Sequence, residues 1–152
     1  MHYPSIPIIS EESEDNIDYN IRKKYNTFWL VDPLDGTTNF LHGLPIYAVS
    51  VGLIYHKQPV IGLIYEPNRD ELFYAAKGLG SFLNERSIHV SSQTSMNKSL
   101  LATGFPYYDY RRLEAYMDIL QWLMHNSRGV RRIGSAAIDL AYVACGRFEA
   151  FY

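Results

Sequence analysis

Asp32 and Asp35 stand three apart with Pro33 between them, and Gly36-Thr37-Thr38 follows at once. Two carboxylates and the carbonyl of Leu34 are hard oxygen donors, the type that holds Mg²⁺, Mn²⁺ or Ca²⁺ and not zinc or copper. Like charges this close repel unless a cation lies between them. Gly36 permits a tight turn or a close approach of backbone to an anion. Thr37 and Thr38 have side chains able to cap a helical turn, and the exposed amides of such a turn attract phosphate oxygens. A divalent ion beside a phosphate pocket polarises the phosphoryl group and lowers the pKa of bound water. The chemistry that follows is hydrolysis of a phosphorylated molecule. Residues 32–37 also suit a plain surface turn, because Asp, Pro and Gly dominate such turns. The surrounding chain favours the chemical reading.

The elements that must position these residues are legible in outline. Phe28-Trp29-Leu30-Val31 is an apolar run of strand character. Pro33 lacks an amide hydrogen and biases Asp32 toward extended backbone, so the strand is expected to end at Asp32 and turn, leaving the Leu34 carbonyl free to face a ligand. Residues 47–55 and 60–65 read as a hairpin around a turn at 56–59. Residues 67–70 turn into a third strand at 71–76, which makes an antiparallel meander. Gly78 and Gly80 bracket a further turn before Ser81-Phe82-Leu83, and Asn84-Glu85-Arg86 turns the chain again. The Gly-x-Gly here is not a nucleotide loop, since no helical pattern follows it. Leu113, Tyr116, Met117, Leu120, Leu123 and Met124 fall at helical spacing and predict a helix over 108–125 whose apolar stripe packs on the sheet. Ser135 is placed to cap a second helix ending near Gly146, Arg131-Arg132 lies in an expected strand, and residues 148–152 alternate like another. Residues 12–24 are polar and charged, and predict a mobile loop between the first two strands. The class is α+β, an antiparallel meander sheet packed by helices in a layered sandwich.

The segment Trp29-Leu30-Val31-Asp32-Pro33-Leu34-Asp35-Gly36-Thr37-Thr38-Asn39-Phe40 resembles the signature of the inositol monophosphatase family. Ile8-Ile9-Ser10-Glu11-Glu12-Ser13 is similar to the family's strand ending in Glu-Glu-Ser. Residues 43–52 and Arg131-Arg132-Ile133-Gly134-Ser135-Ala136-Ala137 resemble its later blocks, so essentially the whole chain is covered. The resemblance implies the inositol monophosphatase and sugar phosphatase fold, Mg²⁺ as cofactor, and a small phosphorylated substrate. It implies that Glu11, Asp32 and the Leu34 carbonyl hold a first metal, that Asp32 and Asp35 hold a second, and that Thr37 helps Glu11 orient the attacking water. The amides of Gly36 and Thr37 would hold the phosphate, and Gly134, Ser135 and Ala136 would line the alcohol side. Ser10 stands where the family often has glycine, a tolerable change because the ligand is the glutamate after it.

The same resemblance implies lithium sensitivity and a homodimeric full-length protein. It also implies helices before the strand at Glu11, and a Trp-Asp segment after residues 148–152 whose aspartate completes the second metal site. Neither lies within these residues, so the 152 residues are expected to be a single, incomplete domain. Alone it is expected to bind Mg²⁺ weakly and turn over slowly. Thr38-Asn39-Phe40 favours inositol monophosphate or a related sugar-alcohol phosphate over the alternatives, a 3′(2′),5′-bisphosphate nucleotidase or a fructose-1,6-bisphosphatase. A non-catalytic fragment or interaction module on the same scaffold is the other class.

Composition bounds the rest. With 47% hydrophobic and 20% charged residues the chain belongs to the ordinary globular class. A net charge of −2 argues against nucleic acid as the main partner. No apolar run approaches the ~20 residues of a membrane helix, and the amino terminus lacks a basic-then-apolar leader pattern. A single cysteine, Cys145, excludes an intrachain disulfide and points to a reducing cytoplasm, with the thiol used for packing. The five histidines are scattered, which disfavours a zinc site.

Overall fold

The β-branched and aromatic runs between residues 27 and 87 form one sheet. A computed structural model describes residues 6–11, 24–106 and 109–152. Contacts divide the chain into two compact units, Met1–Ser87 and Ile88–Tyr152.

In the first unit, β1 (Ile8–Ser10), β2 (Thr27–Asp35), β3 (Ala48–Tyr55), β4 (Gln58–Glu66), β5 (Glu71–Ala76), β6 (Gly80–Leu83) and β7 (Arg86–Ser87) lie in sequence order across the sheet. Neighbours from β2 to β7 are antiparallel, as the meander predicts, and β1 runs parallel to β2. His56 and Lys57 between β3 and β4, and Asn84 and Glu85 between β6 and β7, all have positive φ. Two-residue hairpin turns require this, because a turn of that hand matches the right-handed twist of the strands. Directly opposite each other on β5 and β6, Tyr74 and Phe82 stack with ring centroids 5.3 Å apart, a cross-strand pair of the kind that stabilises a sheet. Ile9, Phe28, Ala48 and Phe73 are its buried apolar residues. The expected loop at residues 12–24 falls, up to residue 23, outside the described residues.

One expectation here is corrected. β2 does not end at Asp32 but continues through Asp35. Proline lacks the amide a regular ladder needs, so inside a sheet it sits at an edge or a bulge. Here it is a bulge: Asp32 pairs with Ser50 and Asp35 with Ala48, so Pro33 and Leu34 together face Val49 alone.

The second unit holds a three-stranded parallel sheet in the order β10 (Ala150–Phe151), β8 (Leu100–Ala102), β9 (Gly129–Arg131). Parallel neighbours need crossovers, and the two helices fall between successive strands along the chain. With α1 assigned to Thr37–Leu41 beside the bulge, these helices are α2 (Leu113–Asn126) and α3 (Ala136–Ala144). α2 starts later than residue 108. The Asp109 carboxylate accepts from the Arg111 amide at 3.1 Å, a local turn that holds the backbone out of helix there. Its apolar stripe is also only partly core. Leu123 is buried and Tyr116 and Leu120 are half-buried, but Leu113, Met117 and Met124 are exposed, as is Trp122. The residues at 116, 120 and 123 share the inward face, and the flank at 113, 117 and 124 turns away from it.

Tyr116 closes this unit from within. Its hydroxyl lies 2.9 Å from Thr103 Oγ1, which also donates to the Tyr152 carbonyl at 2.8 Å, and the rings of Tyr116 and Tyr152 stack at 5.1 Å. At the other end of α3, Gly146 has φ +77 and stops the helix as expected. Cys145 is half-buried at the C-cap, its thiol 3.5 Å from the Tyr142 carbonyl. Arg131 ends β9 and Arg132 lies beyond it, so the expected strand includes only the first arginine. No helix among the described residues is long and apolar enough to cross a membrane.

Candidate metal and phosphate site

Residues three apart on a regular strand point to opposite faces of the sheet. The bulge removes that conflict. Ser50 and Ala48, the partners of Asp32 and Asp35, are two apart and so share a face, and the two aspartates share it with them. Glu11 lies one residue past the end of β1. Ser10 pairs with Val31, and the Glu11 amide donates to the Val31 carbonyl at 3.1 Å, so Glu11 continues the register opposite Asp32. Glu11, just past the end of β1, and Asp32 and Asp35, within the last four residues of β2, are therefore neighbours in the register of the sheet.

The turn that follows is held locally. Asp32 Oδ1 accepts from the Leu34 amide at 2.9 Å, which satisfies a donor that the bulge takes out of the ladder. Thr37 Oγ1 donates to the Leu34 carbonyl at 3.0 Å. That carbonyl is thus not wholly free, as the sequence implied, although a carbonyl keeps a second lone pair for another partner. The expected threonine cap is also corrected: α1 begins at Thr37 itself, its N-cap is Gly36, and no side chain caps it. The first amides of α1 have no carbonyl partner inside so short a helix and lie at the mouth of the turn. With five residues α1 has little dipole, so any pull on an anion comes from the N–H groups themselves.

Gly36 is fixed for two reasons. Its φ of +95 is a left-handed conformation, and a Cβ there would stand 3.0 Å from the Ile46 carbonyl oxygen and 3.3 Å from Tyr47 Cα. In the sequence Asn39 figures only as part of the signature, yet it is the buried residue of α1, and its Nδ2 donates to that same Ile46 carbonyl at 2.8 Å. No local pattern marks it, since the apolar Phe40 and Leu41 that follow are the exposed members of the helix.

The donors at this turn are oxygens: two carboxylates on one face and a backbone carbonyl. Such a set fits Mg²⁺, which is commonly bound by one or two carboxylates while keeping several waters. Among the described residues no three His, Cys, Asp or Glu side chains gather into a metal site.

Gly134, Ser135 and Ala136 belong to the second unit. Gly134 has φ +94, Ser135 is buried as the N-cap of α3 with its Oγ accepting from the Ile138 amide at 3.3 Å, and Ala136 opens the helix. The capping role expected of Ser135 is thus present.

Residues 1–152 match the inositol monophosphatase family. A Synechocystis sp. protein named inositol-1-monophosphatase is 46% identical over 150 residues, 98% of this chain and 50% of that protein. A Xylella fastidiosa protein named Nus factor SuhB is 40% identical over 150 residues, 99% of this chain and 52% of that protein. The crystal structure of extragenic suppressor protein suhB from Bartonella henselae matches with a TM-score of 0.85 at 43% identity, over 95% of this chain and 55% of that one. The chain belongs to the inositol monophosphatase family and has its α+β fold. It spans about half the length of these relatives. Enzymes of the family are phosphatases of small phosphorylated substrates and are generally metal-dependent.

Proposed function

We propose that this chain carries the metal and phosphate site of a Mg²⁺-dependent phosphate monoester hydrolase acting on inositol monophosphate or a related sugar-alcohol phosphate. The observation that carries the reading is the bulge in β2, which brings Asp32 and Asp35 to one face immediately before the left-handed turn at Gly36. Glu11, Asp32 and the Leu34 carbonyl would hold one Mg²⁺, and Asp32 with Asp35 a second. When bound, the metal supplies polarisation of the phosphoryl group and a lowered pKa of coordinated water.

The chain's own residues supply position and charge, which is most of what phosphoryl transfer with a loose transition state asks of a protein. Thr37 gives its hydroxyl proton to the Leu34 carbonyl, so toward a water it acts as an acceptor. Glu11 is a second acceptor, and the pair would aim the water's lone pair at phosphorus for in-line attack. The Gly36 and Thr37 amides would hold phosphate oxygens. By the family resemblance, Gly134, Ser135 and Ala136 would line the alcohol side of the substrate. The 152 residues act as part of one inositol monophosphatase-like domain of a longer, homodimeric protein, and a lone cysteine suits a reducing cytoplasm.

Replacing Asp32 by Asn keeps shape and removes a charge both metals use. Hydrolysis of inositol 1-phosphate should fall by at least about a hundredfold, the upper range for losing even an outer partner of a metal site, with circular dichroism unchanged. Activity that persists with the same Mg²⁺ dependence would show that Asp32 is no ligand. In the same assay a bisphosphorylated nucleotide should be the poorer substrate, and a preference for it reverses the choice of substrate. A second reading, an interaction module, is favoured by the exposed Leu113, Met117, Trp122 and Met124 of α2.

A further inference from the structure

The burial pattern of α1 is inverted. Phe40 is 50% and Leu41 77% exposed, while Asn39 between Thr38 and Phe40 is 5% exposed. Burying an amide is unfavourable unless its hydrogen bonds are made inside, and here they are. The side-chain Nδ2 donates to the Ile46 carbonyl at 2.8 Å, while the backbone carbonyl of Asn39 accepts from the amides of Leu44 at 2.8 Å and His42 at 3.2 Å. Ile46 in turn donates its amide to the Leu44 carbonyl at 2.8 Å. The 42–47 loop is thereby tied to this residue, through the backbone at 42 and 44 and through the side chain at Ile46.

The Ile46 oxygen that Asn39 grips is also the atom against which Gly36 is set, and Asp35 pairs with Ala48 two residues later. These contacts close a ring from Asp35 through Gly36 and α1 to Asn39, across to Ile46, and back along β3 to Ala48. We propose that Asn39 is a positioning residue: by fixing the Ile46 carbonyl it sets where Asp35 and the Gly36 and Thr37 amides stand, and so governs metal affinity without touching the metal. This rests on the metal site proposed above.

The test is Mn²⁺ binding to the full chain, followed by electron paramagnetic resonance of the free ion, for wild type, Asn39→Ala, Asn39→Leu and Phe40→Ala. Asn39→Leu keeps the volume and drops the donor. Phe40→Ala loosens the same helix by removing its edge-on contact with Tyr47, at 5.1 Å, and leaves Ile46 held. At a temperature where all are folded, both Asn39 variants should bind about tenfold more weakly or worse, the effect typical of an outer partner of a metal site, and Phe40→Ala within about twofold of wild type. Equal losses in the Phe40 and Asn39 variants, or wild-type affinity in either folded Asn39 variant, overturn the proposal. Unfolding of both Asn39 variants while Phe40→Ala stays folded makes Asn39 a residue of the fold only and overturns it too. A wild-type chain that binds no Mn²⁺ overturns the metal site itself, and the positioning role with it.

Discussion

Left-handed backbone costs a residue with a side chain roughly 1–2 kcal/mol, and at Gly36 the neighbouring strand adds a second penalty, since an added Cβ would press on the Ile46 carbonyl at 3.0 Å. Backbone cannot swing aside as a flexible side chain can. Gly36→Ala should therefore destabilise the first unit by about 2 kcal/mol or more, seen as a lower urea midpoint at unchanged slope, and should weaken phosphate binding along with it. A substitution that leaves the midpoint in place would mean that the turn relaxes freely. That Gly36 marks a turn or a close approach was legible in the sequence, because glycine after Asp-Pro-Leu-Asp has few other uses. Asn39 was not. Its partner lies seven residues on, and nothing in local spacing says that an amide in a five-residue helix will be its buried member.

Elements were readable where the residues form long periodic runs. β3, β4 and β5 announce themselves by six to nine residues of apolar and β-branched character between polar turns. The second unit's sheet is legible only in part: strands were expected at 131–132 and 148–152, where β9 and β10 fall, but their bounds and β8 were not, because two or three residues are too few to show a period. Bulges escape in the same way: the proline at 33 predicts a stop, whereas the ladder resumes at Asp35 opposite Ala48. Capping was read correctly at α3 and wrongly at α1, and the difference is physical. Ser135 precedes the first helical residue with extended backbone, φ −135 and ψ 109, so its oxygen can reach Ile138, whereas Thr37 is already inside its helix. Ser135→Ala should cost roughly 1 kcal/mol for the lost cap, measured by denaturant unfolding. No change would mean that the 3.3 Å contact contributes little.

For the whole molecule the governing fact is extent, since the chain corresponds to about half of each relative. Apolar side chains of α2, Met117, Trp122 and Met124 among them, are at least half exposed, and surface of this kind marks an interaction site when contiguous. We expect the chain alone to bind Mg²⁺ weakly and to hydrolyse inositol 1-phosphate more than tenfold slower than a full-length relative assayed beside it. A rate within tenfold would show that these residues suffice. The resemblance of nearly every segment to one family was legible from the outset, and the family match agrees.

The bulge has a consequence for mutagenesis. Two aspartates separated by a single residue would share a face on an unbroken strand, so the extra position at Pro33-Leu34 is not needed to align them. What it adds is one peptide carbonyl, at Leu34. Because that oxygen belongs to the main chain, an alanine scan leaves it in place and tests only the Leu34 side chain. If it is the proposed ligand, its role is encoded in chain length, and deleting one residue of the bulge should weaken Mg²⁺ binding where Leu34→Ala does not.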